Sequence, residues 1–140
     1  MALEALKYNA TLLLVVLASD NQNTHALSGV RILELGQIIA GTYGSQLLSD
    51  LGAEVIKIEP PNGDLGRLTS IAPYRGQSGL FLTFNRNKKS MVIDLKSDKG
   101  LKIFYDLVKI SDVVVDNFRP GVLEKLKIDY QSLRKLNNKI

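Results

Sequence analysis

Residues 29–61 read GVRILELGQIIAGTYGSQLLSDLGAEVIKIEPP, and this stretch decides the fold. Residues 30–35 alternate as in a β-strand, and the apolar residues that follow recur at helical spacing. Gly52 is placed to end that helix in a left-handed conformation, and residues 54–59 read as a second short strand. Because the unit has the length of a right-handed βαβ crossover, we predict two parallel strands in one sheet. The apolar stripe of its helix comprises Ala40, Tyr43, Leu47, Leu48 and Leu51.

The second half of the chain repeats this plan. Residues 90–95 read as a strand, Ser97 is placed to cap a helix, and residues 112–116 read as another strand. The apolar face of that helix comprises Leu101, Phe104, Leu107 and Val108. Residues 60–89, between the two units, are predicted to form a long loop with little regular structure. Residues 122–126 read as a short helix and residues 130–136 as a longer one, which Asp129 is placed to cap. The sequence thus predicts an α/β fold with a Rossmann-like parallel sheet of βαβ units.

Length and composition favour one ordinary globular core. The 140 residues are 45% apolar and 23% charged, which suffices for a single domain. Basic residues outnumber acidic ones by 18 to 14, but the two kinds alternate without interleaved aromatic residues. We therefore predict a solvated surface and no nucleic-acid partner. The chain has no cysteine, and its single histidine, His25, has no ligand-spaced neighbours, so metal catalysis is not expected.

The first 26 residues differ in character from the rest. Residues 10–18 (ATLLLVVLA) form an apolar run of nine, whereas a membrane-spanning helix needs roughly 20 residues. Glu4 disrupts the basic start of a signal peptide, and no small-x-small cleavage site follows. We expect no membrane segment here. Residues 1–26 are interpreted as an N-terminal extension, either a packing helix or a segment that the core does not need.

Ligands of open parallel sheets bind beyond the carboxyl ends of the strands. The loops that qualify here are residues 36–41, 59–63 and 117–121. Their glycines either let a ligand approach the backbone or only form a tight turn against the helix. The spacing of Gly36, Gly41 and Gly44 is not the G-x-G-x-x-G of dinucleotide folds, although Glu59 lies where a ribose-binding acid would. No P-loop lysine triplet follows either, so we predict neither a dinucleotide site nor a P-loop.

Five motif blocks occur in order along the chain. They are GVRILELGQIIAG (29–41), DLGAEVIKIEPP (50–61), NRNKKS (85–90), IDLK (93–96) and VVVDNFRPG (113–121). Together they resemble the class III CoA-transferases, the family of formyl-CoA transferase, carnitine CoA-transferase and alpha-methylacyl-CoA racemase. The resemblance runs from about Leu27 onward, so residues 27–140 are interpreted as the N-terminal part of a class III CoA-transferase domain.

The resemblance implies a binding site for coenzyme A. This ligand needs an apolar slot for adenine, cations for its phosphates and a narrow channel for the pantetheine arm. Matched motif by motif, the family's CoA contacts fall on Ile39, Ala40, Pro60, Ile93, Asp94, Leu95, Lys96, Asn117, Phe118, Arg119 and Lys125. Pro60 replaces an arginine that can lie against adenine, and Lys125 keeps the charge of an arginine without its bidentate geometry. Ile39 offers only its backbone and an apolar surface where a relative has glutamine.

Other charged residues have two interpretations each. Arg86, Lys88 and Lys89 form either a solvated basic loop or phosphate contacts. Asp94 and Asp116 lie in or beside predicted strands, which favours hydrogen bonds to the backbone over a catalytic role.

The resemblance also implies covalent chemistry. Transferases of the family pass acyl groups through an aspartate that becomes a mixed anhydride and then an aspartyl-CoA thioester. The matching aspartate is expected downstream of residue 140, so we assign no catalytic residue and expect this chain alone to be inactive. Two alternatives stay open: a racemase-type enzyme, which abstracts a proton beside the thioester carbonyl, and a non-catalytic CoA-binding or interaction module. The implied partners are acyl-CoA and carboxylate small molecules, with CoA as substrate and no permanent cofactor, in a cytoplasmic homodimer.

Overall fold

The computed structural model describes residues 25–140, and its strands form one sheet. In chain order the elements are β1 (Arg31–Glu34), α1 (Ala40–Asp50), β2 (Glu54–Glu59), a 3₁₀ helix (Leu65–Leu68), α2 (Gly79–Phe84), β3 (Lys89–Val92), α3 (Asp98–Val108), β4 (Val113–Val115), α4 (Val122–Lys125) and α5 (Tyr130–Arg134). All strand pairs are parallel, in the order β3-β2-β1-β4. The predicted α/β fold with a parallel sheet is confirmed. The apolar run of residues 10–18 lies outside the described residues.

The first βαβ unit forms as predicted. β1 lies beside β2 with Arg31 opposite Glu54 and Glu34 opposite Lys57. Gly52 ends the turn after α1 with φ of +98°, a conformation that glycine adopts without steric cost. A Cβ atom there would also lie 2.2 Å from the Cβ of His25. Both the backbone angle and the close approach of His25 therefore require glycine at this position.

The amphipathic pattern of α1 is present, but its apolar stripe is not its buried face. The stripe residues that are about half exposed are Tyr43, Leu47 and Leu51. The buried residues of the helix are Gly41, Thr42, Ser45, Gln46 and Ser49. The reason lies in the sheet beneath, where the buried carboxylate of Glu34 accepts a hydrogen bond from the Ser45 hydroxyl. A polar helix face therefore covers a charged position of the sheet.

The main apolar core combines β1 and β2 of the first unit with α3 of the second. Ser97 caps α3 by accepting a hydrogen bond from the amide of Gly100 at 3.1 Å, and Asp129 caps α5 by accepting one from the amide of Ser132 at 3.1 Å. Both predicted caps are confirmed. The core residues include Leu33, Ile58, Ile93, Phe104, Val108, Ile128 and Leu133. The predicted apolar face of α3 is thus the face that packs on the sheet.

Residues 60–89 contain more regular structure than the sequence predicted. The 3₁₀ helix begins after Asp64, whose carboxylate accepts a hydrogen bond from the amide of Gly66, and α2 begins after Ser78, whose hydroxyl accepts one from the amide of Phe81. These two side-chain caps allow short helices to form within a segment rich in glycine and polar residues. Across residues 25–140, no helix has the length and apolar character needed to cross a membrane.

Candidate functional site

A cleft of about 110 Å³ lies beyond the carboxyl ends of the strands. Its lining residues are Leu35 and Gln37 after β1, residues 58–61 at the end of β2, residues 93–96 after β3, Phe118 after β4, and Leu126. The order of the strands explains this position. The chain moves from β1 to β2 and β3 on one side and returns to β4 on the other side of β1, so the loops after β1 and β4 diverge at a topological switch point.

The cleft brings together about half of the site residues predicted from the sequence. Those that line it are Pro60, Ile93, Asp94, Leu95, Lys96 and Phe118. Lys125 lines an adjoining groove that shares Leu95, Lys96 and Leu126 with the cleft. The predicted residues that line neither cavity are Ile39, Ala40, Asn117 and Arg119, and all four are exposed.

Asn117 connects the two loops at the switch point. Its Oδ1 accepts a hydrogen bond from the amide of Gln37 at 2.9 Å, and its Nδ2 donates one to the carbonyl of Gln37 at 3.0 Å. The side chain therefore pairs with one residue of the β1 loop much as a neighbouring strand would. This structural contact, which the sequence did not predict, fixes the loop after β4 against the loop after β1.

The glycines of the β1 loop form a tight turn. A Cβ atom on Gly36 would lie 2.9 Å from the Cα of Gly41, and one on Gly41 would lie 3.1 Å from the Cα of Gly36. By contrast, a Cβ atom on Gly44 meets nothing within 4 Å. Of the two interpretations offered for these glycines, close contact between turn and helix accounts for the first two.

Asp94 and Asp116 accept hydrogen bonds from the backbone, as predicted. Asp94 accepts a hydrogen bond from the amide of Lys96 at 3.0 Å, and Asp116 accepts one from the amide of Phe118 at 3.0 Å. Each carboxylate thereby fixes the turn that follows its strand.

Four buried charged residues lie beneath the β1 loop, and sequence reasoning missed this group. The charge cluster comprises Glu34, Lys57, Asp64 and Lys88. The Nζ atom of Lys57 lies 2.8 Å from Glu34 Oε1 and 2.7 Å from Asp64 Oδ2, and Lys88 Nζ lies 2.7 Å from Glu34 Oε2. All four side chains are at most 2% exposed. Two cations and two anions balance, which makes their burial tolerable.

Neither interpretation of the basic loop fits Lys88. Its side chain is buried and donates to the carbonyl of Thr42 at 2.7 Å, so it is neither solvated nor free for a phosphate. Burial lowers the pKa of Lys88, while the hydrogen bond and charge of Glu34 oppose that change. The exposed neighbours Arg86 and Lys89 form ion pairs with Asp50 and Glu54.

Glu59 ends β2 in a network of its own. Its carboxylate accepts two hydrogen bonds from Arg67, both at 2.7 Å, and further ones from the Ser90 hydroxyl and the Asp64 amide. These donors, Arg67 foremost, lower the pKa of Glu59 from its usual 4.5 to about 2. The Arg67 guanidinium also lies 3.7 Å from the centre of the Phe81 ring. Because the carboxylate of Glu59 accepts all these hydrogen bonds, it fixes the segment after β2 and is not available for the ribose of a dinucleotide.

Within residues 25–140, no three His, Asp or Glu side chains are grouped so as to hold a metal ion.

The chain belongs to CoA-transferase family III, whose sequence model matches residues 27–140. It is similar to the succinyl-CoA:mesaconate CoA-transferase of Haloarcula hispanica, with 41% identity over 116 residues that cover 80% of this chain and 29% of that protein. It is also similar to the human succinyl-CoA:glutarate CoA-transferase, with 40% identity over 116 residues covering 82% of this chain and 26% of that protein. The chain therefore spans less than a third of the length of these curated relatives.

Solved structures share the fold. The orthorhombic form of Rv3272 from Mycobacterium tuberculosis superposes with a TM-score of 0.76 at 37% identity, covering 85% of this chain and 31% of that one. A CAIB/BAIF family protein from Brucella suis gives a TM-score of 0.73 at 39% identity, covering 79% of this chain and 30% of that one. The family resemblance inferred from the five motif blocks is confirmed.

The buried position of Lys88 predicts a large difference between two adjacent lysines. Lys88→Met leaves Glu34 with a single cation in a buried site, so we expect the free energy of unfolding to fall by about 3 kcal/mol. Lys89→Met removes an ion pair whose lysine is 70% exposed, and we expect a loss below about 1 kcal/mol. Urea unfolding followed by circular dichroism measures both. Equal losses in the two variants would contradict the role assigned to the charge cluster.

The lowered pKa of Glu59 predicts a defined sensitivity to acid. A carboxylate whose pKa is depressed in the folded state stabilises the fold above its usual pKa, and this contribution disappears as pH falls from about 4.5 towards 2. Glu59→Gln is therefore expected to be less stable at pH 7, with a deficit that shrinks across that window. Thermal unfolding at several pH values measures the deficit.

Asp106→Asn is the matched control for Glu59→Gln. Asp106 also has a pKa lowered to about 2, by Lys102 and Lys109, but its side chain is 48% exposed. Because solvent and salt screen exposed pairs, 0.5 M salt is expected to remove the pH-dependent deficit of this variant and to preserve that of Glu59→Gln. An equal effect of salt on both variants would count against the buried network.

Proposed function

We propose that this chain supplies the coenzyme A site of an enzyme that transfers CoA between an acyl-CoA and a carboxylic acid. One observation carries the proposal: the loops after all four parallel strands meet at one apolar cleft, at the switch point of the sheet. Membership of CoA-transferase family III, and the names of its curated relatives, support the chemistry. Residues 27–140 then form the N-terminal part of the transferase domain, and residues 1–26 an extension of it.

The cleft and its adjoining groove suit different parts of the ligand. The cleft has mostly apolar walls, including Ile93 and Phe118, and at about 110 Å³ it is smaller than the sites that enclose whole drug-sized ligands. We assign it to an apolar part of CoA, the adenine or the upper pantetheine arm. The phosphates then lie along the groove lined by Lys96 and Lys125.

Unpaired cations at the groove support this assignment. Among residues 25–140, Lys57, Lys88 and Lys89 form ion pairs with carboxylates, whereas Lys96 and Lys125, which line the groove, form none. Cations without a protein counter-ion attract phosphate oxygens with little competition. Ile39 and Ala40, where α1 begins without a side-chain cap, are proposed to contact the ligand through their backbone.

We further propose that transfer passes through an aspartyl-CoA thioester. The aspartate attacks the thioester carbonyl and releases CoA thiolate; the thiolate then attacks the aspartyl carbonyl of the mixed anhydride and releases the donor acid. The acceptor carboxylate reverses these two steps and leaves as its CoA thioester. We place this aspartate outside residues 27–140, because Asp94, which lines the cleft, and Asp116, which follows β4, both accept hydrogen bonds from backbone amides. A cytoplasmic homodimer is part of the proposal and rests on the family resemblance alone.

Calorimetric titration with free CoA tests the binding site. We expect saturable binding, weakened about tenfold or more by Phe118→Ala, which removes one wall of the cleft, and by Asn117→Ala, which releases the two loops. Ile103→Ala, on the exposed side of α3, is the control and is expected to bind as the unaltered chain does. Absence of saturable binding by the unaltered chain would contradict the proposal.

A second ligand tests the assignment of the groove. Dephospho-CoA lacks the 3′-phosphate and is expected to bind more weakly than CoA, by a factor that decreases as salt is added. Lys125→Met is expected to reduce the difference between the two ligands, because it removes one cation of the groove. If CoA and dephospho-CoA bind equally well, the groove is not the phosphate site.

The location of the nucleophile predicts an inactive fragment. The 140-residue chain, incubated with succinyl-CoA and a panel of carboxylates, is expected to give no acyl transfer and no aspartyl adduct on trapping with hydroxylamine. An adduct on any aspartate of residues 1–140, detected by mass spectrometry, would show that the catalytic centre is misplaced.

A further inference from the structure

Backbone groups of three successive residues of the β1 loop are held by side chains from other parts of the chain. The carbonyl of Gly36 accepts a hydrogen bond from Lys57 Nζ at 2.8 Å. Both backbone groups of Gln37 pair with the side chain of Asn117. The amide of Ile38 donates to Asp64 Oδ1 at 3.3 Å. The turn formed by these three residues is therefore fixed at every position.

The turn needs such support because Ile38 has a left-handed backbone conformation. Its φ angle is 67°, a region that costs an L-residue roughly 1–2 kcal/mol and that β-branched residues rarely adopt. A strained residue of this kind persists only where its surroundings over-determine it, and such residues cluster at functional sites. The side chain of Ile38 is 39% exposed, so core packing does not account for the conformation.

A single buried ion pair joins the two ends of the turn. Lys57 Nζ lies 2.7 Å from Asp64 Oδ2, and each side chain is 2% exposed. Lys57 donates hydrogen bonds to Glu34 and to the carbonyl of Gly36, both at 2.8 Å, and its third short contact is the ion pair with Asp64. The carbonyl at the start of the turn and the amide at its end are thus held through the same pair.

We propose that the Lys57–Asp64 pair is a positioning device for the CoA site, which holds the turn in its strained conformation and so places the backbone of Ile39 and Ala40 for the ligand. The inference rests on the proposed function. Ile39 and Ala40 follow the turn directly and begin α1, so any relaxation of Ile38 towards an ordinary conformation moves them. Preorganisation of this kind raises affinity, because the ordering of the loop is complete before the ligand binds.

Asp64→Ala removes the partner of Ile38 and one partner of Lys57 together. We expect the Kd for CoA, measured by calorimetry on the folded variant, to rise about tenfold. The control is Glu54→Ala, which removes an ion-paired carboxylate at the other end of β2, where Glu54 contacts Arg31 and Lys89. This control is expected to leave the Kd unchanged. An unchanged Kd in Asp64→Ala would overturn the inference.

A second substitution separates positioning from stability. In the double variant Asp64→Ala/Ile38→Gly, glycine adopts the left-handed conformation without support, so most of the lost affinity is expected to return. If Asp64 has a purely structural role, the affinity is not restored in the double variant. Failure of Ile38→Gly to restore the affinity would therefore overturn the inference. If Asp64→Ala does not fold, Ile38→Gly alone decides: release of strain is expected to raise the melting temperature by about 2–5 °C, and a lower value would contradict strain at Ile38.

Amide hydrogen exchange tests the turn without any ligand. In Asp64→Ala, the amide of Ile38 is expected to exchange at least tenfold faster than in the unaltered chain, while the amide of Leu33 in β1 keeps its rate. If the unaltered chain binds no CoA, the proposed function fails, and the exchange rates still show whether the pair holds the turn. Unchanged exchange at Ile38 would overturn the inference on its own.

Discussion

The ion pair between Glu34 and Lys57 is the constraint on which much of the structure depends. The two residues lie opposite each other on β1 and β2, and neither side chain is more than 2% exposed. Removal of one partner from a buried pair leaves an uncompensated charge, which typically costs several kcal/mol. The surrounding chain must therefore supply further charged and polar partners for the pair. Ser45, Asp64 and Lys88 meet that requirement.

This requirement explains why two distant segments meet under the β1 loop. Asp64 comes from the segment after β2 and Lys88 from the segment before β3, and both approach the same pair. It also explains the orientation of α1, whose polar residues cover the pair while Tyr43, Leu47 and Leu51 of its apolar stripe are about half exposed. The opposite face of the sheet carries the apolar core around Phe104 and Val108. One face of the sheet is thus stabilised by ion pairing together with a small apolar cluster around Ile32 and Val55, and the other by the larger hydrophobic core.

Local signals in the sequence predicted the elements well, because their causes are local. Ser97 and Asp129 cap helices through hydrogen bonds that span three residues, and Gly52 ends a helix through its own backbone angle. The charge cluster joins residues up to 54 positions apart, from Glu34 to Lys88, so no local pattern reveals it. One signal was available: Glu34 and Lys57 are charged residues within strands predicted to be parallel, and such strands are usually buried on both faces.

The same distinction applies to the candidate site. The motifs of the family resemblance named about half of the residues that line the cleft, Pro60, residues 93–96 and Phe118. They did not show that both polar atoms of the Asn117 side chain form hydrogen bonds with the backbone of Gln37, or that the amide of Ile38 donates a hydrogen bond to Asp64. These contacts arise only when β4 returns beside β1 and the segment after β2 folds under the β1 loop. The topology of the sheet converts residues from three separate motifs into one fixed turn, and that turn sets the direction in which α1 begins.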